Sequence, residues 1–215
     1  MKPIRQYSVL DSLVIRFDDF LHATKPGKTA STRQNPANSV VNGPISVDLQ
    51  AVSASLMRVN HAGEVSAQAL YQGQGMTARS QGVRESMKNA AAEEVDHLVW
   101  CQQRLAELGS HTSYLNPFWY LGSLSFGIMA GLAGDRWSLG FIAETEHQVV
   151  RHIDEHLAAL PVQDMKSRAI LQQMRMDESR HATVAIESGA AELPRPVKQL
   201  MRFCSKVMTR TACWI

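Results

Sequence analysis

Cysteine is scarce in this chain. Cys101, Cys204 and Cys213 form no CxxC pair, which leaves no disulfide framework and no rubredoxin-type iron site, and their odd number suits a reducing compartment. An excess of one charge is also missing. There are 22 Lys and Arg against 20 Asp and Glu, a net charge of +2, so the whole chain offers no footprint for nucleic acid. Few stretches alternate apolar and polar residues, which argues against a β fold. The apolar, uncharged stretch Phe118–Gly134 has 17 residues, slightly short of the ~20 of a membrane span. The start, MKPIRQYSVLDSLVIRFDDF, lacks an uninterrupted apolar core and a small-residue cleavage site, so no secretory signal is expected.

What remains is rich in helix formers, in runs such as AQAL, NAAAEEV and HLAAL. The pattern predicts an all-α protein. A short amphipathic helix over 8–22 precedes a Pro-, Gly- and Ser-bearing linker over 23–46, so 1–46 reads as an N-terminal extension and 47–215 as the main domain. Long helices are expected over 47–78, 80–108 (stopped by Gly109), 135–160 (ending before Pro161) and 162–188 (stopped by Gly189). The uncharged run 118–134 joins the second to the third, and a last helix begins near Pro194. That is a four-helix bundle with one apolar crossover. Helices of ~26–30 residues are ~40 Å long, enough to enclose a polar centre.

Three ExxH strings occur: Glu94–His97, Glu144–His147 and Glu178–His181. Helical spacing puts Glu94 and His97 on one stripe with Met87, Leu98, Cys101 and Leu105. Glu178 and His181 fall likewise with Ile170, Leu171, Met174 and Ala185. Glu144 shares its face with Gln148 and Arg151 and reads as a decoy. On the same helix, Glu146 sits with Val149, Val150, Ile153 and Leu157. Glu64 shares a face with Met57, Asn60, His61, Ala67 and Tyr71. Four glutamates and two histidines are thus expected to point into one bundle, where carboxylates need cations or shared protons. The order repeats: Glu64 to Glu146 spans 82 residues, and both Glu94 to Glu178 and His97 to His181 span 84. A lone Glu from each of two helices plus ExxH from each of the others is the di-iron carboxylate pattern. Asp177 and Glu93, each preceding an ExxH glutamate, are candidates to hold a ligand imidazole. His152, with His61 and His156, is placed to line the site.

Carboxylate-rich ligation without thiolate suits iron or manganese. It fits an O₂-activating oxygenase, and equally an iron-storing or peroxide-removing protein. Two features favour an apolar substrate. The crossover, loosened by four Gly, suits a segment at a bilayer surface. The tail carries Lys198, Arg202, Lys206 and Arg210 every four residues among Leu200, Met201, Phe203, Val207, Met208 and Trp214, the pattern of a helix on an anionic membrane.

The strings RVNHAGEVSAQALYQGQ (58–74), EEVDHLVWCQQRLAELG (93–109), DESRHA (177–182) and LPRPVKQLMRFCSKVMTRTACWI (193–215) resemble the demethoxyubiquinone hydroxylase family of ferritin-like di-iron monooxygenases. The resemblance covers roughly 47–215. It implies ring hydroxylation of a polyprenylated benzoquinol with O₂, two iron ions per chain held by Glu64, Glu94, His97, Glu146, Glu178 and His181, and NADH-derived electrons. The expected setting is peripheral, on the cytoplasmic side of the membrane, and a homo-oligomer is compatible with the pattern. The family usually carries a second acid after the position of Glu146, whereas this chain has His147. Residues 1–46 have no place in the pattern.

Overall fold

The computed structural model describes residues 8–24 and 30–214; the first seven residues and the stretch 25–29 of the expected linker lie outside the described residues. Seven α-helices run through the described residues: α1 Val9–Thr24, α2 Val47–Thr77, α3 Gln81–Glu107, α4 Asn116–Leu132, α5 Asp135–Ala159, α6 Met165–Glu187 and α7 Arg195–Ala212. Their ends follow local chemistry. Ser80 Oγ accepts from Val83 N at 3.1 Å at the start of α3, and Gly109 adopts φ +65° past its end. The start of α6 lies three residues later than the sequence suggests. The Asp164 side chain accepts from Ser167 N (3.0 Å), fixing the first turn there. Asp135 ties two turns together, accepting Arg79 N at 2.9 Å and Ser80 N at 2.8 Å.

Helices α2, α3, α5 and α6 form the bundle, and the crossover α4 lies along α2. The approach of α4 is close because Gly127 faces the α2 backbone; a Cβ there would collide with the Leu70 carbonyl. Met57, Trp100, Leu105, Ile153, Leu171 and Met174 form one apolar cluster, and Tyr71, Met87, Leu139, Ile142 and Ala185 another. On every bundle helix the sequence-predicted site residues fall between these two clusters, so a polar layer is clamped by apolar packing on both sides.

Besides α1 with Leu10, Val14 and Phe17, helices α4 and α7 keep large apolar side chains outside. Phe118, Leu121, Met129 and Leu132 on α4 are exposed, as are Leu200, Phe203 and Val207 on α7 and Trp214 just beyond it. Arg202, Lys206 and Arg210 are exposed beside them. No helix among the described residues is long and apolar enough to cross a membrane. The described part of the N-terminal extension does not hang free: Ala37, in a 3-10 turn over Pro36–Ser39, is buried in the first apolar cluster.

Candidate metal centre

Each bundle helix delivers its polar residues from the face that also carries its core residues. Glu64, Glu94, Glu146 and Glu178 are all buried, as are His97 and His181. One ligand atom each from Glu64, Glu94, His97 and Glu178 falls within a 4.8 Å group. His97 Nδ1 lies 2.9 Å from Glu94 Oε2, 3.1 Å from Glu178 Oε1 and 3.4 Å from Glu64 Oε2. His181 Nδ1 lies 3.0 Å from Glu178 Oε2 and 3.6 Å from Glu94 Oε1. Glu146 joins from α5, its Oε1 accepting from the buried Tyr71 hydroxyl. Glu94 and Glu178 are therefore the two carboxylates that face both imidazoles.

Hydrogen bonding alone does not satisfy this layer. A single Nδ1–H cannot serve the three carboxylates around it. Glu94 Oε1, Glu146 Oε2 and Glu178 Oε1 are buried without a hydrogen-bond partner. Orphaned carboxylate oxygens in an apolar bundle are costly unless a cation meets them, and this donor set suits a metal ion.

Electrostatics point the same way. Burial, then the neighbouring carboxylates, push Glu64 and Glu146 well above the ordinary carboxylate range. Burial opposes ionisation of Glu178 too, but the imidazoles of His181 and His97 beside it hold it at about 2. Burial opposes charge on His181 and His97, yet the surrounding acids prevail, raising His181 to about 9 and His97 well above its usual value. Without metal, protons do the neutralising.

A pH dependence follows. Groups raised in the folded state bind more protons there than when unfolded, so their stabilisation is complete below the unfolded value and is lost as pH rises through the folded one. For Glu64 and Glu146 the loss begins above 4.5. For His181 it begins above 6.5 and runs to about 9. The buried His61 and His156, pushed down to about 3 by burial, oppose this below 6.5, where only the unfolded chain would protonate them. Metal-free protein should therefore melt at progressively lower temperature from pH 6.5 to 9, whereas metal affinity should rise over the same range as protons give way. Thermal melts with and without a chelator measure both.

The outer ring nitrogens are served crosswise. His97 Nε2 is 3.0 Å from Asp177 on α6, and His181 Nε2 is 3.2 Å from Glu93 on α3. Each acid thus backs the histidine of the opposite ExxH rather than its own. His152 packs on His156, ring centroids 3.9 Å apart, and its Nε2 is buried without a partner; it has no hydrogen bond to the six among the described residues. Glu144 is more buried than its polar neighbours suggest, but it turns to Lys198 (3.7 Å) on α7 and Arg151 (3.6 Å), away from the layer. His147 is exposed. Tyr71, Arg33 and Arg180 were not singled out by spacing. Arg180 sits on the solvent side of its helix, Arg33 in the linker, and Tyr71 reads as core.

A cavity of about 770 Å³ borders the centre. Glu64 lies in its wall together with Leu70, Trp119, Phe126 and Ser123, while α7 supplies Leu200, Met201 and Met208. Helices α4 and α7, with their exposed apolar side chains, form part of its wall.

Fold and centre together define a class: a ferritin-like helical bundle enclosing a buried carboxylate–histidine group. Its fold is similar to that of the bacterioferritin-related protein of Bacteroides fragilis, a dodecameric thioferritin, with a TM-score of 0.51 at 14% identity over 75% of this chain and 92% of that one. Residues 51–212 match the model of the family Ubiquinone biosynthesis protein COQ7, and the chain belongs to that family. Relatives named 3-demethoxyubiquinol 3-hydroxylase are 58% identical in Nitrosococcus oceani (98% of this chain, 99% of that protein) and 51% identical in Acinetobacter baumannii (99% and 100%). Another, in Nitrosomonas eutropha, is 50% identical over 96% of this chain and 99% of its own length.

Proposed function

We propose that this chain hydroxylates the ring of a polyprenylated demethoxyubiquinol, the reaction for which its relatives are named, using two iron ions, O₂ and electrons from an external reductant derived from NADH. Glu64, Glu94 and His97 would hold one iron, and Glu146, Glu178 and His181 the other. Glu94 and Glu178, which face both imidazoles, would serve both. The observation that carries this reading is the apolar cavity with Glu64 in its wall, because it brings a lipid-soluble substrate beside the centre. A storage protein has no use for such a cavity.

When bound, the metal pair supplies O₂ activation and the two-electron chemistry of ring hydroxylation. The chain's own residues do the rest. Asp177 and Glu93 accept the Nε2–H protons, which leaves each Nδ1 lone pair turned to the centre. Tyr71 holds Glu146 by its hydroxyl. The cavity walls exclude water and seat the apolar tail, and Glu64 marks the side from which the ring approaches.

The exposed apolar residues of α4 and α7 flank the cavity, and Arg202, Lys206 and Arg210 accompany them. This face rests on the anionic cytoplasmic surface of the membrane as a peripheral contact, so that substrate passes from lipid to cavity without crossing water. Lys198, bound to Glu144 (3.7 Å) and Glu192 (3.6 Å), contributes less to it than the sequence pattern implies. Deleting the gene should make cells accumulate demethoxyubiquinone and lose ubiquinone, with recovery on re-expression. Normal ubiquinone without the precursor would refute the assignment.

A further inference from the structure

The two ExxH units are repeats, and their supports are built alike except at one point. Behind His181 stands Glu93, gripped by Arg180, whose Nη2 lies 2.6 Å from Glu93 Oε2 and, more loosely, 3.2 Å from Asp177 Oδ1. Arg180 directly precedes His181. Behind His97 stands Asp177, but the residue directly before His97 is an acid, Asp96. The guanidinium missing from α3 arrives from the N-terminal extension. Arg33 donates from Nη1 to Asp177 Oδ2 at 2.8 Å and from Nε to Asp96 Oδ2 at 2.9 Å, and it lies over the Trp100 ring at 4.8 Å.

Asp96 is the reason Arg33 can be there. It is buried, and its carboxylate also accepts Thr32 N at 2.6 Å and Ser31 Oγ at 2.8 Å. Asn35 then bonds Gln103 at 2.7 Å, and Ala37 enters the core. An acid at this helix position therefore does what Arg180 does in the other half, by capturing an arginine instead of being one.

We propose that residues 31–35 are a strap belonging to the metal centre, with Asp96 as its latch and Arg33 as the positioning residue that fixes Asp177 and the His97 ring, whose Nε2 its Nη2 also approaches directly at 3.2 Å. This rests on the reading of the centre as a two-metal site. The strap lies outside residues 51–212, so the family pattern gives it no task. A carboxylate held in place fixes the tautomer and plane of the imidazole it supports, and losing such support typically costs roughly ten- to a hundredfold in metal affinity. Linkage makes the effect mutual: metal at the His97 half must stabilise the seated strap.

The test uses metal-free full-length protein and Co(II), whose visible absorption reports ligation, together with hydrogen exchange. The wild type is expected to bind two Co(II) per chain, with exchange at residues 31–35 slowed on loading. Arg33→Ala is expected to weaken one of the two by roughly ten- to a hundredfold and leave the other unchanged. Arg180→Ala, which frees Glu93 and removes a second bond to Asp177 (3.2 Å), should weaken both, the His181 half more. Equal weakening of both sites in Arg33→Ala, or none, overturns the proposal. Exchange at the strap that is indifferent to metal in the wild type overturns it too, and that measurement needs no variant. A wild type that binds no Co(II) instead strikes the two-metal reading itself.

Discussion

Glu178→Ala should abolish ring hydroxylation and drop the iron content well below that of the wild type. Glu178 presents Oε1 to His97 at 3.1 Å and Oε2 to His181 at 3.0 Å, so one truncation reaches both halves of the centre. Losing a carboxylate that faces both imidazoles should forfeit several kcal/mol of stabilisation, at least about a thousandfold in rate. Glu146→Gln separates lost metal from lost fold. In the metal-free protein Glu146 is pushed towards its protonated form by burial and by Glu178, so the neutral amide mimics the form already present. Its metal-free melting temperature should stay near that of the wild type while iron binding falls. Iron analysis and chelator-treated melts check the pair; wild-type iron content in Glu178→Ala would remove Glu178 from the centre.

Ser123→Trp should leave the metal centre intact and lower kcat/KM for the polyprenylated substrate. Ser123 stands on α4 in the cavity wall, half-buried and apart from the six polar residues. An indole there fills space meant for the tail. Displacing two or three carbons at roughly 0.8 kcal/mol per CH₂ costs about 2 kcal/mol, about thirtyfold in kcat/KM. A substrate with a truncated tail should lose less. If long- and short-tailed quinols suffer equally, the tail does not use this cavity.

Much of this arrangement is legible in the chain. Periodicity alone brings Glu64, Glu94, His97, Glu146, Glu178 and His181 to core faces, and the structure gathers all six into one buried layer. The all-α bundle with its crossover is equally readable, because each long helix carries a clear stripe and a Gly, Pro or cap at its end. What periodicity cannot supply is anything settled between helices. That Asp177 backs His97 and Glu93 backs His181 depends on which helices face each other. Glu144 has polar neighbours along its own helix, yet α7 covers it, and no intrahelical rule contains α7. Arg33 was hidden most deeply. It lies in a linker of turn-forming residues, more than 60 positions from Asp96, and the one local hint was an acid, Asp96, beside a histidine predicted to face the core.

The central claim joins a metal pair to quinol chemistry, and a single reconstitution tests it. Protein loaded with Fe(II) is given demethoxyubiquinol, O₂ and a reductant, and the quinone product is weighed by mass spectrometry beside an iron count. Two iron ions per chain are expected, with a product heavier by one oxygen atom, derived from ¹⁸O₂ when that gas is supplied. Unchanged quinol, with iron accumulating far beyond two per chain, would contradict it.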